Sequence, residues 1–240
     1  NTKPVGSTIL GEMVNSINEQ LRSGLIDTDF KEKVMGIITR NYREGNDYKS
    51  AFAGMMNELF AGYGVVFIDP SDSEIKRLLV PVFEKELTSS PKLCESIITT
   101  SAELEKNYDL QVKPKVINLF FLHNGNRLMI EPRDGGKFAL KNSKRRFENE
   151  EMLNTLQENP ELFSPNVVLR PICQDYLLPT AAYIGGPGEI SYFAQFKPAY
   201  RHYDITMPVI YPRASVSIIE SKIAKFMNNY GVKLEDIFHH

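Results

Sequence analysis

An α/β fold is what this sequence predicts, with a parallel sheet at its centre and a smaller α+β segment inserted into it. Three observations carry that expectation. Short runs apolar on both faces, at 65–68 (VVFI) and 167–169 (VVL), read as strands buried between helical layers. Stretches with apolar residues at helical spacing flank them, which gives the strand, loop and helix alternation of a parallel sheet. Between residues 116 and 146 the pattern changes to antiparallel hairpins. That change marks an insertion of roughly 70 residues, the size of a small subdomain.

The elements follow in order. Ser7 is placed to cap a first helix with Ile9, Leu10, Met13, Val14, Ile17 and Leu21 on its apolar face and Gly24 as its stop. Thr28 caps a second, with Phe30, Val34, Ile37, Ile38 and Tyr42, and Asp47 opens a third, with Phe52, Met55, Met56, Leu59 and Phe60. The strand at 65–68 ends in Asp69-Pro70-Ser71-Asp72, from which a further helix begins. Asp69 sits where open α/β sheets bind ligands, but turn and cap chemistry accounts for that tetrapeptide without one. After Pro91 a charged helix is expected to about Asn107. A strand at 116–122, a turn at 123–126 (HNGN), a strand at 127–131 and a second turn at Asp134-Gly135-Gly136 form the hairpins. A helix at 148–157 returns the chain to the sheet, and the strand at 167–169 and an apolar stretch at 177–184 lead to a Gly-rich loop. Val209 and Ile210 suggest a last strand, and 218–229 a closing helix with Ile219, Ile223 and Phe226 inward.

Bulk composition narrows the function classes. With 240 residues, 42% of them hydrophobic, the chain is long enough for a substantial core. A formal charge of −2 offers no basic field for nucleic acid or an anionic membrane. Basic residues concentrate only at 141–146, most simply a solvated segment. Two distant cysteines, Cys94 and Cys173, match no metal-ligand spacing and no disulfide framework, so a cytoplasmic setting is expected. No apolar stretch reaches the length of a membrane span, and the start has no signal-peptide pattern. The chain begins at Asn1 without an initiator methionine, which suggests a fragment, and His239-His240 receive no functional weight.

The loop Gly185-Gly186-Pro187-Gly188-Glu189, between an apolar run and an aromatic-rich helix, is the candidate site. Small residues there let backbone N–H groups approach a ligand, and a helix N-terminus favours an anion. It lacks the Lys-Ser/Thr pair of a Walker A loop and the dinucleotide fingerprint; a tight turn with proline at the helix start remains the structural alternative. Glu189, Tyr192 and Gln195 follow at spacings of three, near one helix face. Glu189 offers a carboxylate to hold or deprotonate an amine, Tyr192 a hydroxyl and a flat face, and Gln195 a donor and an acceptor. Arg170, Gln174 and Asp175 before the loop and Arg213 and Ser215 after it complete the polar set, the arginines suited to anions. Cys173 and His202 read as packing residues, because no histidine is placed to activate the thiol. Both a catalytic site and a non-catalytic nucleotide- or sugar-binding module fit these residues.

The residues also resemble a known family, the cysteine-adding enzymes of bacillithiol biosynthesis, or cysteine ligases. The likeness rests on 163–171 (FSPNVVLRP), Gln174-Asp175, 178–180 (LPT), 183–190 (YIGGPGEI), Tyr192, Ala194-Gln195, Met207-Pro208 and Pro212-Arg213 with Ser215. Weaker echoes are 64–72, Gln111, and Asn118-Leu119-Phe120 followed by Gly125 and Arg127. The resemblance implies a Rossmann-like parallel sheet core of the kind found in class I aminoacyl-tRNA synthetases, at 1–87 and 159–240, with a connecting segment inserted at 88–158. It implies ligation of L-cysteine through its carboxyl to the amine of glucosaminyl-malate, with ATP (and Mg) as the expected activating cofactor. Arg170, Arg213 and Glu189 would then be catalytic, Gly185, Gly186, Pro187, Gly188, Tyr192, Gln195, Gln174, Asp175, Asn118 and Ser215 would bind substrate or nucleotide, and no protein-held metal is expected. A family member is about twice as long, opens with a Gly-Gln-Gln strand signature, and ends in a coiled coil that supports a homodimer. None of these is present here, so the chain is expected to be a central fragment, inactive alone.

Overall fold

The structure, a computed structural model, describes residues 5–238, the side chains of Ser90, Ile237 and Phe238 excepted. Asn1 and the pair His239-His240 lie outside the described residues.

Three helices open the chain: α1 (Met13–Gly24), α2 (Lys31–Asn41) and α3 (Tyr48–Leu59). Gly24 and Asp47 act as expected, Gly24 as the last residue of α1 and Asp47 as the cap of α3, its carboxylate accepting from the Ser50 amide at 2.8 Å. The expected caps at Ser7 and Thr28 are displaced. A 3-10 turn at Val5–Ser7 and a bridge from Ile9 to Asp47 occupy that stretch, so α1 starts only at Met13, and α2 starts at Lys31 after Phe30. Leu10, Val14 and Ala51 form a small core of their own, while Met13, Ile17 and Phe30 are exposed.

Residues 65–68 are not a strand. No strand among the described residues lies beside them to complete a hydrogen-bond ladder, and Val65, Val66 and Ile68 are exposed. The turn reading of the next four residues holds. Asp69 accepts from the Ser71 amide, and Asp72 accepts from the amides of Glu74 and Ile75 to cap α4 (Ser73–Leu78).

Helix α5 (Val80–Leu104) runs unbroken through Pro91, where the sequence suggested an interruption. A proline inside a helix costs roughly 3 kcal/mol. Phe83 and Leu87 before it and Leu93 and Ile97 after it all enter one core, and that burial outweighs the local penalty. The same helix crosses residues 87 and 88, so those two segments are continuous in the fold.

The hairpins form as expected, in a five-stranded antiparallel sheet of order β4-β3-β2-β1-β5: β1 (Leu119–His123), β2 (Asn126–Arg133), β3 (Lys137–Leu140), β4 (Arg146–Phe147) and β5 (Phe163–Pro165). Asn124 and Gly125 take positive φ (50° and 71°) in the turn between β1 and β2, the geometry an Asn-Gly pair supplies. Helix α6 (Asn149–Glu158) precedes β5.

Residues 167–169 turn into α7 (Leu169–Leu177) instead of extending as a strand. Asn166 explains it: its side-chain oxygen accepts from the amides of Val168 (2.8 Å) and Leu169 (3.2 Å), and Pro171 needs no hydrogen-bond partner in a first turn. Parallel pairing among the described residues is confined to β6 (Ala182–Gly185) and β7 (Val209–Pro212), on either side of α8 (Pro187–Tyr203). The long α8 packs on α5, and Phe193, Phe196, Ala199 and Tyr200 fill the main core with the sheet. In α9 (Ser221–Tyr230) the expected inward face is reversed. Met227 is buried, whereas Ile219, Ile223 and Phe226 are exposed. A short α10 (Leu234–Phe238) ends the described chain.

Candidate functional site

The carboxyl ends of β6 and β7 and the N-terminus of α8 meet at one place. Tyr183 pairs with Ile210 and Gly185 with Pro212, and the Arg213 amide donates to the Gly185 carbonyl at 2.8 Å. Gly186 is the helix cap and Pro187 the first helical residue, where a missing N–H costs nothing. Glu189 reaches back, one oxygen accepting the Gly186 N–H at 2.9 Å. Its other oxygen accepts from the Tyr183 hydroxyl at 2.5 Å and the Tyr192 hydroxyl at 3.4 Å. Both hydroxyls in turn accept from Arg170 Nη2, at 3.2 and 3.1 Å. The result is a chain running from a guanidinium through two phenols to a carboxylate.

These bonds set the charge states. Glu189 titrates below the usual carboxylate range, chiefly through the Tyr183 hydroxyl, then the Gly186 amide. Tyr183 is pushed up to about 12 by burial and by its bond to Glu189, so it remains a donor at neutral pH. Glycine at 186 has a spatial reason: a Cβ there would stand 2.6 Å from Arg213 Nη2. The guanidinium lies where a side chain would otherwise be.

A cavity of about 490 Å³ opens here, lined by Gly186, Pro187, Gly188, Glu189, Tyr192 and Arg213, with Gln111, Val112 and Val167 on its other side. Helix N-terminus and guanidinium suit an anion, and the ionised carboxylate suits an ammonium group. Among the described residues no group of three His, Cys, Asp or Glu is arranged to hold a metal ion.

The remaining sequence candidates fall elsewhere. Gly185 is buried under the loop beside Tyr183. Gln195 faces the core, not the cavity. Its amide nitrogen donates to Ser101 Oγ (2.8 Å) and the Val112 carbonyl (2.9 Å), and its oxygen accepts the Val112 N–H at 3.2 Å. Six residues after Glu189, ordinary helical rotation has carried the side chain off the Glu189 face, and Gln195 instead fixes Val112, a cavity wall. Asn118 is also buried, bonded to Glu86, Asn166 and the Lys115 carbonyl. Asp175 accepts from the Tyr200 hydroxyl, and its second oxygen is buried without a hydrogen-bond partner among the described residues. Gln174 borders a different cavity, with Arg170, and Ser215 is exposed beyond Arg213, outside the cavity lining. Cys173 is buried, its thiol driven far up by burial, and His202 meets Ser89 at 3.0 Å. Tyr183 is the participant that residue reasoning passed over; the signal was a strand tyrosine six positions before Glu189.

Among the described residues no helix is long and apolar enough to cross a membrane. Curated relatives align with most of the chain. One from Chloroherpeton thalassium is 43% identical over 218 residues, 90% of this chain and 39% of the relative. One from Salinibacter ruber is 39% identical over 238 residues, 98% of this chain and 43% of the relative. Both are named "Putative cysteine ligase BshC", and the chain spans about two-fifths of their length. The family described as bacillithiol biosynthesis BshC, N-terminal Rossmann-like domain, matches residues 1–214, and with the glycine loop, Glu189 and Arg213 all inside that match, the chain belongs to the BshC family.

Proposed function

We propose that this chain supplies the substrate-activating half of a cysteine ligase that joins the carboxyl of L-cysteine to the amine of glucosaminyl-malate, completing bacillithiol. The observation that carries the proposal is the pairing, in one cavity, of an anion-binding helix start beside Arg213 with a carboxylate held ionised by two tyrosines and a backbone amide. The names of the curated relatives support the same reading.

Amide formation from a free carboxylate needs an activated acyl group. ATP supplies it when the cysteine carboxylate attacks the α-phosphorus and displaces pyrophosphate; the amine then attacks the acyl carbon and AMP leaves, with a proton lost from nitrogen. The helix start and Arg213 hold the phosphates and the growing negative charge there. Glu189, with its lowered pKa, is a weak base. Its role is to bind the amine as it arrives in its ammonium form; that proton passes to solvent before the free amine attacks, and Tyr192 and Arg170 orient the Glu189 carboxylate. The 240-residue chain alone is inactive in this reading, and the complete enzyme is a cytosolic homodimer.

The test is mass-spectrometric detection of bacillithiol from a protein that carries this chain at the relatives' full length, given glucosaminyl-malate, cysteine and ATP, with each omitted in turn. Product that needs all three is expected. Product without ATP would remove the adenylate, and no product under any condition would favour a non-catalytic binding module.

A further inference from the structure

Arg170 faces two ways. The tyrosines that bind its guanidinium join it to Glu189 in the Gly-rich cavity, yet Arg170 itself lines a second cavity of about 500 Å³. Apolar side chains, among them Val66, Ile68, Ile75 and Leu177, form most of that second lining, and no Asp or Glu belongs to it. Its other cation is Lys76 of α4.

Lys76 is only 4% exposed. Its ammonium donates to the Phe163 carbonyl at 2.7 Å and lies 5.5 Å from the centre of the Phe83 ring. Among the described residues it enters no ion pair. Of its three N–H groups two are therefore unspent, and burial pulls its pKa down to about 8. Cys173, which also borders the cavity, feels both Lys76 and Arg170 but is held neutral by burial and balances neither. Asp69 acts on Lys76 only at a distance, being ion-paired to Lys49, and Arg127 opposes it, so the ammonium is buried without an ion-pair partner, a cost that folds normally avoid.

We propose that the second cavity binds a small carboxylate with an apolar body, its head on Lys76 and Arg170 and its aliphatic part against Val66, Ile68 and Leu177. The lining decides the class. Two cations and no acid favour an anion over an amino-acid zwitterion, whose ammonium would find no carboxylate. Apolar walls disfavour a polyphosphate. Arg170 has used one nitrogen on the tyrosines and keeps other N–H groups for a carboxylate fork. This inference does not depend on the ligase reading, because it concerns binding and not turnover.

Isothermal titration calorimetry at pH 7 with 4-methylpentanoate, against 4-methylpentanamide as the neutral isostere, tests it. The acid is expected to bind at least ten-fold more tightly than the amide, and Lys76→Met to abolish the difference. Equal binding of the two, binding of neither, or an acid preference that survives Lys76→Met would overturn the proposal. Should that variant not fold, the unaltered protein labelled with 13C at lysine Cε gives a second reading: the lysine that titrates near 8 should titrate higher when saturated with 4-methylpentanoate. An unchanged midpoint would equally overturn it.

Discussion

At each end of α8 a glutamate is bonded to tyrosine, and the two clusters are built for different purposes. At the N-terminus Glu189 accepts from Tyr183, Tyr192 and the Gly186 amide at the edge of a cavity. At the C-terminus Tyr203 donates to Glu86 of α5, whose carboxylate is fully buried and also takes the Asn118 backbone and side-chain N–H groups at 2.7 and 3.0 Å. Burial raises the pKa of Glu86 above its usual range against the pull of those donors, whereas the donors around Glu189 lower its pKa. The Glu86 cluster is a knot that ties helix to sheet with nothing left to offer. The Glu189 cluster is open to a ligand. Access, not the residue types, separates scaffold from site.

Breaking the knot should have the largest effect. Glu86→Ala strands three buried donors, each worth about 1–3 kcal/mol, so a loss of about 3 kcal/mol or more is expected in urea unfolding. Glu189→Gln should cost about 1 kcal/mol or less in the same experiment. Comparable losses would mean that both clusters are structural.

Lys76 sharpens the contrast, since its unspent buried charge should be a liability in the empty protein. The sign follows from its lowered pKa: between about 8 and 10.5 the unfolded chain holds more protons than the folded one, so stability rises with pH across that window. The gain approaches about 3 kcal/mol by the upper end. Unfolding at pH 7 and pH 10 should show it in the unaltered protein and not in Lys76→Met; parallel curves would mean that the lysine is not effectively buried.

Smaller effects are expected along α8. Gln195→Leu removes three hydrogen bonds to Ser101 and Val112 and leaves the Val112 amide and carbonyl without them, for about 1–3 kcal/mol, with faster amide exchange at Val112. Exchange unchanged there would detach Gln195 from the cavity wall. Gly186→Ala should be the mildest for stability, because φ −73° and ψ 170° are open to alanine. Its effect should appear instead as displacement of Arg213 and weaker phosphate binding.

Patterns closed by near neighbours were legible in the sequence: the Asn124-Gly125 hairpin, the Asp47 and Asp72 caps, and the loop between β6 and α8. Elements that depend on distant partners were not. Residues 65–68 have the composition of a buried strand but, among the described residues, no strand beside them, and residues 167–169 were claimed by Asn166, a single side chain that turned them into a helix start. At the site, Glu189, Tyr192 and Arg213 could be named because they cluster around one loop. Gln195 and Asn118 were misplaced because helix spacing does not say which polar residue the core has already engaged. The Lys76 cavity assembles side chains from three separate stretches, and nothing local announces it.

The central claim is that the Glu189 cluster works on a substrate while the Glu86 knot only holds the fold. Steady-state ligation kinetics of Glu189→Gln at the relatives' full length, with cysteine, ATP and glucosaminyl-malate, test it most directly. We expect turnover to fall at least 100-fold while the urea midpoint stays close to that of the unaltered protein. Unchanged turnover in a stably folded Glu189→Gln enzyme would contradict the account.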